Sequence, residues 1–301
     1  MKKIAFILNP ISGTHHKRKV LEYIKEIIAQ RVEYEPFYYT TKCAKDAYYA
    51  AKNFVENNYS IIVAIGGDGT INEVAGALVN SNSVLGIIPI GSGNGLARHL
   101  KIPLNYKKAV DVILKGKTKL IDAAKVNGKV FFCTAGIGYE AAIGNKFNMA
   151  GSRGLLTYME TCTKVFFNYK PQKYLLKIGG NSFDVEAFSI TFANCNQWGN
   201  NTFIAPNADI SDGMLDVVVW KKTPAFIMPI LTADLFLKTI NNSNYIQIFR
   251  CKELEVYRAE DGLLQYDGES GNFEKDLHVS VLHNAVKVIV NKGYEEISEE
   301  K

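Results

Sequence analysis

Three glycines and a carboxylate fall within five residues at Gly66-Gly67-Asp68-Gly69-Thr70, directly after the apolar run Ile61–Ile65. A buried strand that runs into glycines and then into the helix-like Ile71-Asn72-Glu73-Val74 exposes backbone N–H groups and the positive end of a helix dipole. Both suit an anion. Asp68 has two readings: a carboxylate that holds Mg²⁺ or faces a reacting hydroxyl, or an acid that caps the turn. Similar turns follow two other apolar runs, Asn9-Pro10-Ile11-Ser12-Gly13 after Ile4–Leu8 and Gly91-Ser92-Gly93-Asn94-Gly95 after Val84–Ile90. Any one of them could be an ordinary loop. In an open parallel sheet, however, ligands bind beyond the carboxyl ends of the strands. Three polar glycine turns at that edge would make one site, and a polyphosphate is its expected guest.

A second set of acids lies in the other half of the chain. Ala208-Asp209-Ile210-Ser211-Asp212-Gly213-Met214-Leu215-Asp216 offers several oxygens in a tight loop. Hard cations take such oxygens, but a solvated Asp-Gly turn before a strand reads equally well. In Tyr266-Asp267-Gly268-Glu269 the two carboxylates share a face if the backbone is extended, roughly 7 Å apart. Paired acids suit general-base work or metal binding; a charged hairpin turn is the plainer reading. Other patterns are weak. Gly116-Lys117-Thr118 lacks the upstream glycine of a Walker A loop, and Gly136-Ile137-Gly138-Tyr139-Glu140-Ala141 matches G-x-G-x-x-A outside any βαβ context. His15, His16, His99, His278 and His283 form no cluster, and Lys17-Arg18-Lys19 reads first as a solvated helix face. Arg98 could meet a phosphate or an acid.

These residues need elements to hold them. Up to about Lys115, apolar strands alternate with helical patterns, which predicts a parallel sheet with helices on both faces. Strands are expected at Ile4–Leu8, Val32–Tyr39, Ile61–Ile65 and Val84–Ile90. Helices are expected after Lys19 and over Asp46–Val55, Asn72–Val79 and Tyr106–Lys115, the last turning Ala109, Val110 and Ile113 inward. Near Leu120 the rhythm changes. Asn127-Gly128 and Gly179-Gly180-Asn181 signal hairpins, and strand-like segments continue to Leu277–Leu282 and Val286–Val290. Helical excursions are expected over Glu140–Tyr169, broken at Gly144, Gly151 and Gly154, and over Pro224–Leu237. The expected fold is an α/β N-terminal domain, 1–122, with a mostly antiparallel, β-sandwich-like domain at 123–288. The tail Glu295–Lys301 is charged and expected to fray.

Composition sets outer bounds. The chain has 301 residues, a hydrophobic fraction of 47% and a net charge of +5, which fits a soluble protein with affinity for phosphates or an anionic membrane. No stretch combines dense Lys/Arg with stacking aromatics, so nucleic acid is not an expected partner. Five scattered cysteines, Cys43, Cys133, Cys162, Cys195 and Cys251, read as reduced thiols of a cytoplasmic protein. The apolar segments Leu155–Phe167 and Phe226–Leu237 read first as core packing and second as a guide for a lipid tail.

Taken together, the turns resemble the diacylglycerol kinase catalytic family, which includes bacterial lipid kinases and sphingosine kinases and is related to the NAD kinases. The matching stretches are Asn9–Gly13, Thr40-Thr41, Gly66–Glu73, Pro89–Asn94, Gly136–Tyr139, Asp212–Asp216 and Asp267–Glu269, in the family's order. The resemblance implies a two-domain kinase that binds ATP between its domains, with the segment 289–301 returning to the first. It implies ATP contacts at Asn9, Pro10, Ile11, Ser12, Gly13, Thr40, Gly66, Gly67, Asp68, Gly69, Thr70, Ile71, Asn72 and Ser92. Asp209, Asp212 and the Met214 carbonyl would hold Mg²⁺. Glu269 would accept the proton, with Asp267 and Asp68 completing the acidic centre. The implied reaction is transfer of the ATP γ-phosphoryl group to a lipid hydroxyl by a cytoplasmic enzyme that touches the membrane peripherally during turnover; a homodimer is left open. Gly91-Ser92-Gly93-Asn94-Gly95 departs from the Gly-Thr-x-Asn-Asp of many bacterial members and looks closer to sphingosine and ceramide kinases. NAD kinase and a non-catalytic nucleotide or lipid sensor are the remaining alternatives.

Overall fold

The computed structural model describes residues 1–13, 17–149, 160–161, 164–166 and 168–294, with side chains omitted at 147–149. His15, His16, Cys162, the tail Glu295–Lys301 and most of Leu155–Phe167, with the breaks at Gly151 and Gly154, lie outside the described residues. The chain divides into two compact units: Met1–Ala123 with the segment from His283 onward, and Ala124–Leu282.

The first unit alternates strand and helix: β1 (Lys2–Leu8), α1 (Lys17–Ala29), β2 (Tyr34–Thr40), α2 (Asp46–Glu56), β3 (Ile61–Gly66), α3 (Asp68–Ala77), β4 (Val84–Pro89), α4 (Gly95–His99) and α5 (Tyr106–Lys115). Its strands pair in parallel in the order β2-β1-β3-β4. The C-terminal end of a last strand, β15 (Asp276–Val290), joins in parallel beside β4. Ile4, Ile7, Ile62, Val63, Ile65, Leu85 and Ile88 are fully buried, as near-continuous apolar strands must be when helices cover both faces. Asn105 caps α5 by accepting from the N–H groups of Lys107 (3.0 Å) and Lys108 (3.3 Å). Ala109, Val110 and Ile113 of α5 face the core. Helix α3 starts at Asp68, four residues earlier than the apolar pattern predicts. The Ile71 N–H donates to the Gly67 carbonyl at 3.0 Å, so the glycine turn already belongs to the helix.

Strand β5 (Lys117–Val126) carries the chain into the second unit and β15 carries it back. The second unit is largely antiparallel: β6 (Lys129–Phe131), β7 (Thr134–Gly138), β8 (Gln172–Ile178), β9 (Asn181–Ala193), β10 (Leu215–Lys221), β11 (Ile246–Cys251), β12 (Glu253–Tyr257), β13 (Gly262–Tyr266) and β14 (Glu269–Phe273). Helices α6 (Tyr139–Met149) and α7 (Met228–Leu237) belong to it. Strand order is β14-β13-β7-β9-β8-β12, and the N-terminal half of β15 lies beside β12. The upper half of β9 pairs with β10 as well, and β10 pairs with β11. Phe131, Ile137, Leu176, Phe192, Val217 and Val256 centre one core cluster.

Two elements differ from expectation. Leu277–Leu282 and Val286–Val290 form one strand, because Asn284 takes a left-handed φ of 54° and its N–H donates to Asp122 Oδ1 at 2.7 Å instead of breaking the strand. Strand β14 has no alternating apolar pattern in Glu-Ser-Gly-Asn-Phe; its backbone pairing with β13 makes it a strand. The G-x-G-x-x-A stretch, as expected outside any βαβ context, spans the end of β7 and the start of α6 in an antiparallel setting.

Candidate active site

In the first unit the three glycine turns meet at the carboxyl edge of β1, β3 and β4. Asn9 Nδ2 donates to Thr70 Oγ1 at 2.9 Å, and the Ser12 hydroxyl lies 3.4 Å from the same oxygen. Asn9 Oδ1 accepts the Ile11 N–H at 3.0 Å, which shapes the turn after β1. Gly13 has φ 67°, and a Cβ there would sit 1.7 Å from the Ile90 carbonyl oxygen. A Cβ on Gly91 would approach Gly67 Cα to 2.5 Å. The turns therefore touch backbone to backbone, which glycine alone allows. At their centre, α3 begins with the N–H groups of Asp68, Gly69 and Thr70 in its first turn, the arrangement that receives anions.

Asp68 fastens the third turn to the second. Its Oδ2 accepts the Asn94 N–H at 2.8 Å and its Oδ1 accepts the Gly95 N–H at 2.6 Å. Burial pushes its carboxyl above the ordinary range, against the opposing pull of these amides and of Arg98. Asn94, at φ 54°, closes its own loop by bonding both the N–H (3.0 Å) and the carbonyl (2.7 Å) of Gly91. Arg98 Nε reaches the Gly93 carbonyl at 2.9 Å, a third partner that neither sequence reading named.

Among the other nucleotide candidates, Thr40 ends β2 beside Leu8, and Pro10, Ile11 and Ser92 are exposed on their turns. Asn72 is half-buried in α3. The Ile71 side chain is 1% exposed in the core and its N–H donates to the Gly67 carbonyl.

In the second unit, Asp267 and Glu269 do not share a face. Asp267 (φ 44°) and Gly268 (φ 87°) form a left-handed two-residue turn between β13 and β14, so the extended spacing fails. The Asp267 carboxylate instead turns back to β7. Its Oδ2 accepts the Phe132 N–H at 2.7 Å, and its Oδ1 accepts those of Cys133 (2.8 Å) and Thr134 (3.1 Å). Glu269 is exposed at the start of β14 and accepts from the Tyr266 hydroxyl at 3.2 Å. Burial first and the Glu269 charge second push the Tyr266 phenol up to about 12, so it remains a donor.

Glu140, in the first turn of α6, is the acid the sequence reading missed. It is buried beneath this hairpin, accepts from the Thr191 hydroxyl, and is pushed up to about 8 by burial. With its amide suitably oriented, Gln265 donates to Glu140 Oε1 and accepts from the Gly268 N–H, each at 3.0 Å. No local pattern reports this link, since its members come from α6, β9 and β13.

The Asp209–Met214 loop has the oxygen donors a hard cation takes, and internal hydrogen bonds hold its shape. Asp209 Oδ1 accepts the Ser211 N–H (2.9 Å) and hydroxyl (2.6 Å), and Asp212 Oδ1 accepts the Met214 N–H at 2.9 Å. Asp212 Oδ2 pairs with Arg250, whose Nε also reaches Asp216 Oδ1 at 3.2 Å. Burial raises Asp216 to about 6 against the pull of Arg250. Among the described residues no three His, Cys, Asp or Glu side chains converge, although a hard cation can be held by one or two carboxylates with carbonyls and water. Asp209 and Asp212, the carboxylates expected to hold Mg²⁺ with the Met214 carbonyl, thus stand in one hydrogen-bonded loop with the guanidinium of Arg250 beside Asp212. Arg250 stands opposite Asp216 in the β10–β11 register, far from the loop in sequence.

Residues 3–126 match the diacylglycerol kinase catalytic domain family, and residues 133–290 match the YegS C-terminal NAD kinase beta sandwich-like domain. The diacylglycerol kinase of Bacillus subtilis (strain 168) is 30% identical over 298 residues, covering 97% of both chains. That of Staphylococcus epidermidis (strain ATCC 12228) is 26% identical over 275 residues, covering 90% of this chain and 86% of the relative. A crystal structure of a diacylglycerol kinase from Bacillus anthracis str. Sterne superposes with a TM-score of 0.79 at 23% identity, covering 98% of each chain. That likeness bears out the two-domain fold, with its parallel α/β half and antiparallel half.

Proposed function

Because the chain belongs to the diacylglycerol kinase catalytic domain family, we propose that it transfers the γ-phosphoryl group of ATP to the free hydroxyl of a diacylglycerol. The observation that carries this reading is the meeting of three glycine turns around the start of α3. Phosphoryl transfer depends mainly on positioning and on donors aimed at the phosphate oxygens. The N–H groups of Asp68, Gly69 and Thr70, with the hydroxyls of Ser12 and Thr70, supply such donors. ATP arrives as its magnesium complex, and that ion belongs to the substrate. Whole-length identity with diacylglycerol kinases supports the choice of acceptor.

In this reading Glu269 accepts the proton of the attacking hydroxyl, with Tyr266 orienting the carboxylate. Asp267 and Asp68 act one step back, the first by fixing the hairpin to β7 and the second by fixing the Gly91–Gly95 turn to α3. The enzyme works at the cytoplasmic face of the membrane through transient peripheral contact, and among the described residues no helix is long and apolar enough to cross it. The Gly93-Asn94-Gly95 ending of the third turn favours a sphingoid alcohol as the second acceptor to try.

Radiolabelled transfer from magnesium-ATP to diacylglycerol, sphingosine, ceramide and NAD tests the reading. Label in diacylglycerol is expected, and label confined to NAD overturns the lipid assignment. Glu269→Gln should lower turnover about 10²–10⁴-fold, the usual range for a positioned acid–base group, with ATP affinity unchanged. Full activity in that variant removes Glu269 from its role.

A further inference from the structure

Helix α7 and the 3-10 turn before it, Ala225–Ile227, are apolar except for Thr232 and Asp234. The inward side is accounted for. Leu231 and Leu235 are buried in a cluster with Tyr139, Phe188 and Trp220, and Ile227 and Met228 pack partly against it. The outward side is not. Phe226 is 77% exposed, Ile230 58%, Phe236 50% and Leu237 70%. Ile230, Ala233 and Leu237 stand at i, i+3 and i+7, one stripe of the helix, and all three are exposed. Scattered exposed apolar residues need no explanation, whereas a contiguous group marks an interaction surface.

The charges around this surface indicate its partner. Exposed Lys221 and Lys222 precede it and exposed Lys238 follows it. The only acid between them is Asp234, whose Oδ1 accepts the Thr239 hydroxyl at 2.7 Å. Lys238 caps the helix in a left-handed conformation, with its ammonium 4.5 Å from the centre of the Phe203 ring. An apolar stripe with lysines at both ends is the composition of an interfacial helix: the stripe enters the acyl boundary and the lysines meet anionic headgroups.

We propose that Phe226, Ile230, Phe236 and Leu237, framed by Lys221, Lys222 and Lys238, dock the protein on an anionic phospholipid bilayer. The choice of a bilayer over a protein partner rests on the lipid kinase reading as well as on the charges. It goes beyond that reading by assigning membrane contact to one named surface.

The test is co-sedimentation of the full chain with vesicles of phosphatidylcholine alone and of phosphatidylcholine mixed with phosphatidylglycerol. Wild type should pellet with the mixed vesicles. The triple variant Phe226→Ser, Ile230→Ser, Leu237→Ser should bind them at least about tenfold more weakly, a change of about 1.4 kcal/mol. Lys221→Glu, Lys222→Glu, Lys238→Glu should lose the preference for phosphatidylglycerol. In Phe226→Trp, indole emission should shift to the blue on adding mixed vesicles. Undiminished pelleting of both multiple variants, or an unshifted indole, overturns the proposal. A vesicle-free wild-type dimer that the serine variant converts to monomer also overturns it, by giving the surface to a second copy. Turnover of a water-soluble short-chain diacylglycerol separates the two claims. The serine variant should match wild type there, whereas a wild type inactive on that acceptor but bound to vesicles refutes the kinase reading and leaves the docking surface standing.

Discussion

Asp267→Asn distinguishes an acid that reacts from an acid that holds a hairpin. The native carboxylate accepts three backbone N–H groups, one on Oδ2 from Phe132 and two on Oδ1 from Cys133 and Thr134. The asparagine amide has one oxygen. With that oxygen in the Oδ1 place, its NH₂ faces the Phe132 N–H donor, and one backbone donor is left unsatisfied at about 1–3 kcal/mol. The other two bonds drop from charge-assisted to neutral, a loss of roughly 0.5–1 kcal/mol each. The sum, about 2–5 kcal/mol, is large beside the ~5–15 kcal/mol of a typical domain. For a unit of this size it corresponds to roughly 4–20 °C in the melting midpoint. Differential scanning calorimetry of wild type, Asp267→Asn and Glu269→Gln would measure it. The expected pattern is a lowered midpoint for Asp267→Asn and an unmoved one for Glu269→Gln. An Asp267→Asn protein that melts like wild type yet has lost turnover would refute the clamp and return Asp267 to the reacting centre.

Two other expectations follow from the geometry. Gly13→Ala puts a methyl group 1.7 Å from the Ile90 carbonyl oxygen at a φ of 67°, so the first turn must leave the third. ATP affinity, read by isothermal titration, should fall at least about tenfold; unchanged affinity would mean that this contact does not shape the phosphate site. Glu140 is expected to impose a pH slope on stability. In the folded chain it keeps its proton up to about pH 8, while in the unfolded chain it releases it near 4.5. Between those values the native state binds more protons, so stability falls as pH rises, by up to about 1.4 kcal/mol per pH unit. Urea titrations from pH 5 to 8 should show that decline, and Glu140→Gln should flatten it; parallel curves for the two proteins would place the effect elsewhere.

The parts of this fold that were legible in the sequence are those where local pattern and tertiary role coincide. Ile61–Ile65 reads as a doubly buried strand because helices cover both its faces, and the glycines after it are visible because the backbone there can carry no Cβ. What was hidden is long-range partnership. The sequence places Asp267 and Glu269 two residues apart and invites a shared face, yet a left-handed Asp-Gly turn separates them, and the amides that claim Asp267 come from the bend before β7 and its first residue, 133–135 positions earlier. That Arg250 pairs with Asp212 and Asp216 is equally hidden, because only the register of β11 brings it against them. Glu140 carries no signal at all, because its burial is made by Thr191 and Gln265 from two other strands. An acid in a glycine turn announces only that a carboxylate is needed there. Whether it reacts or fastens is decided by which N–H groups the rest of the chain delivers to it, and at Asp68 and Asp267 the chain delivers backbone amides to both oxygens. Glu269 is left exposed beside a tyrosine hydroxyl, which is why, of the three acids, it is the one assigned the proton.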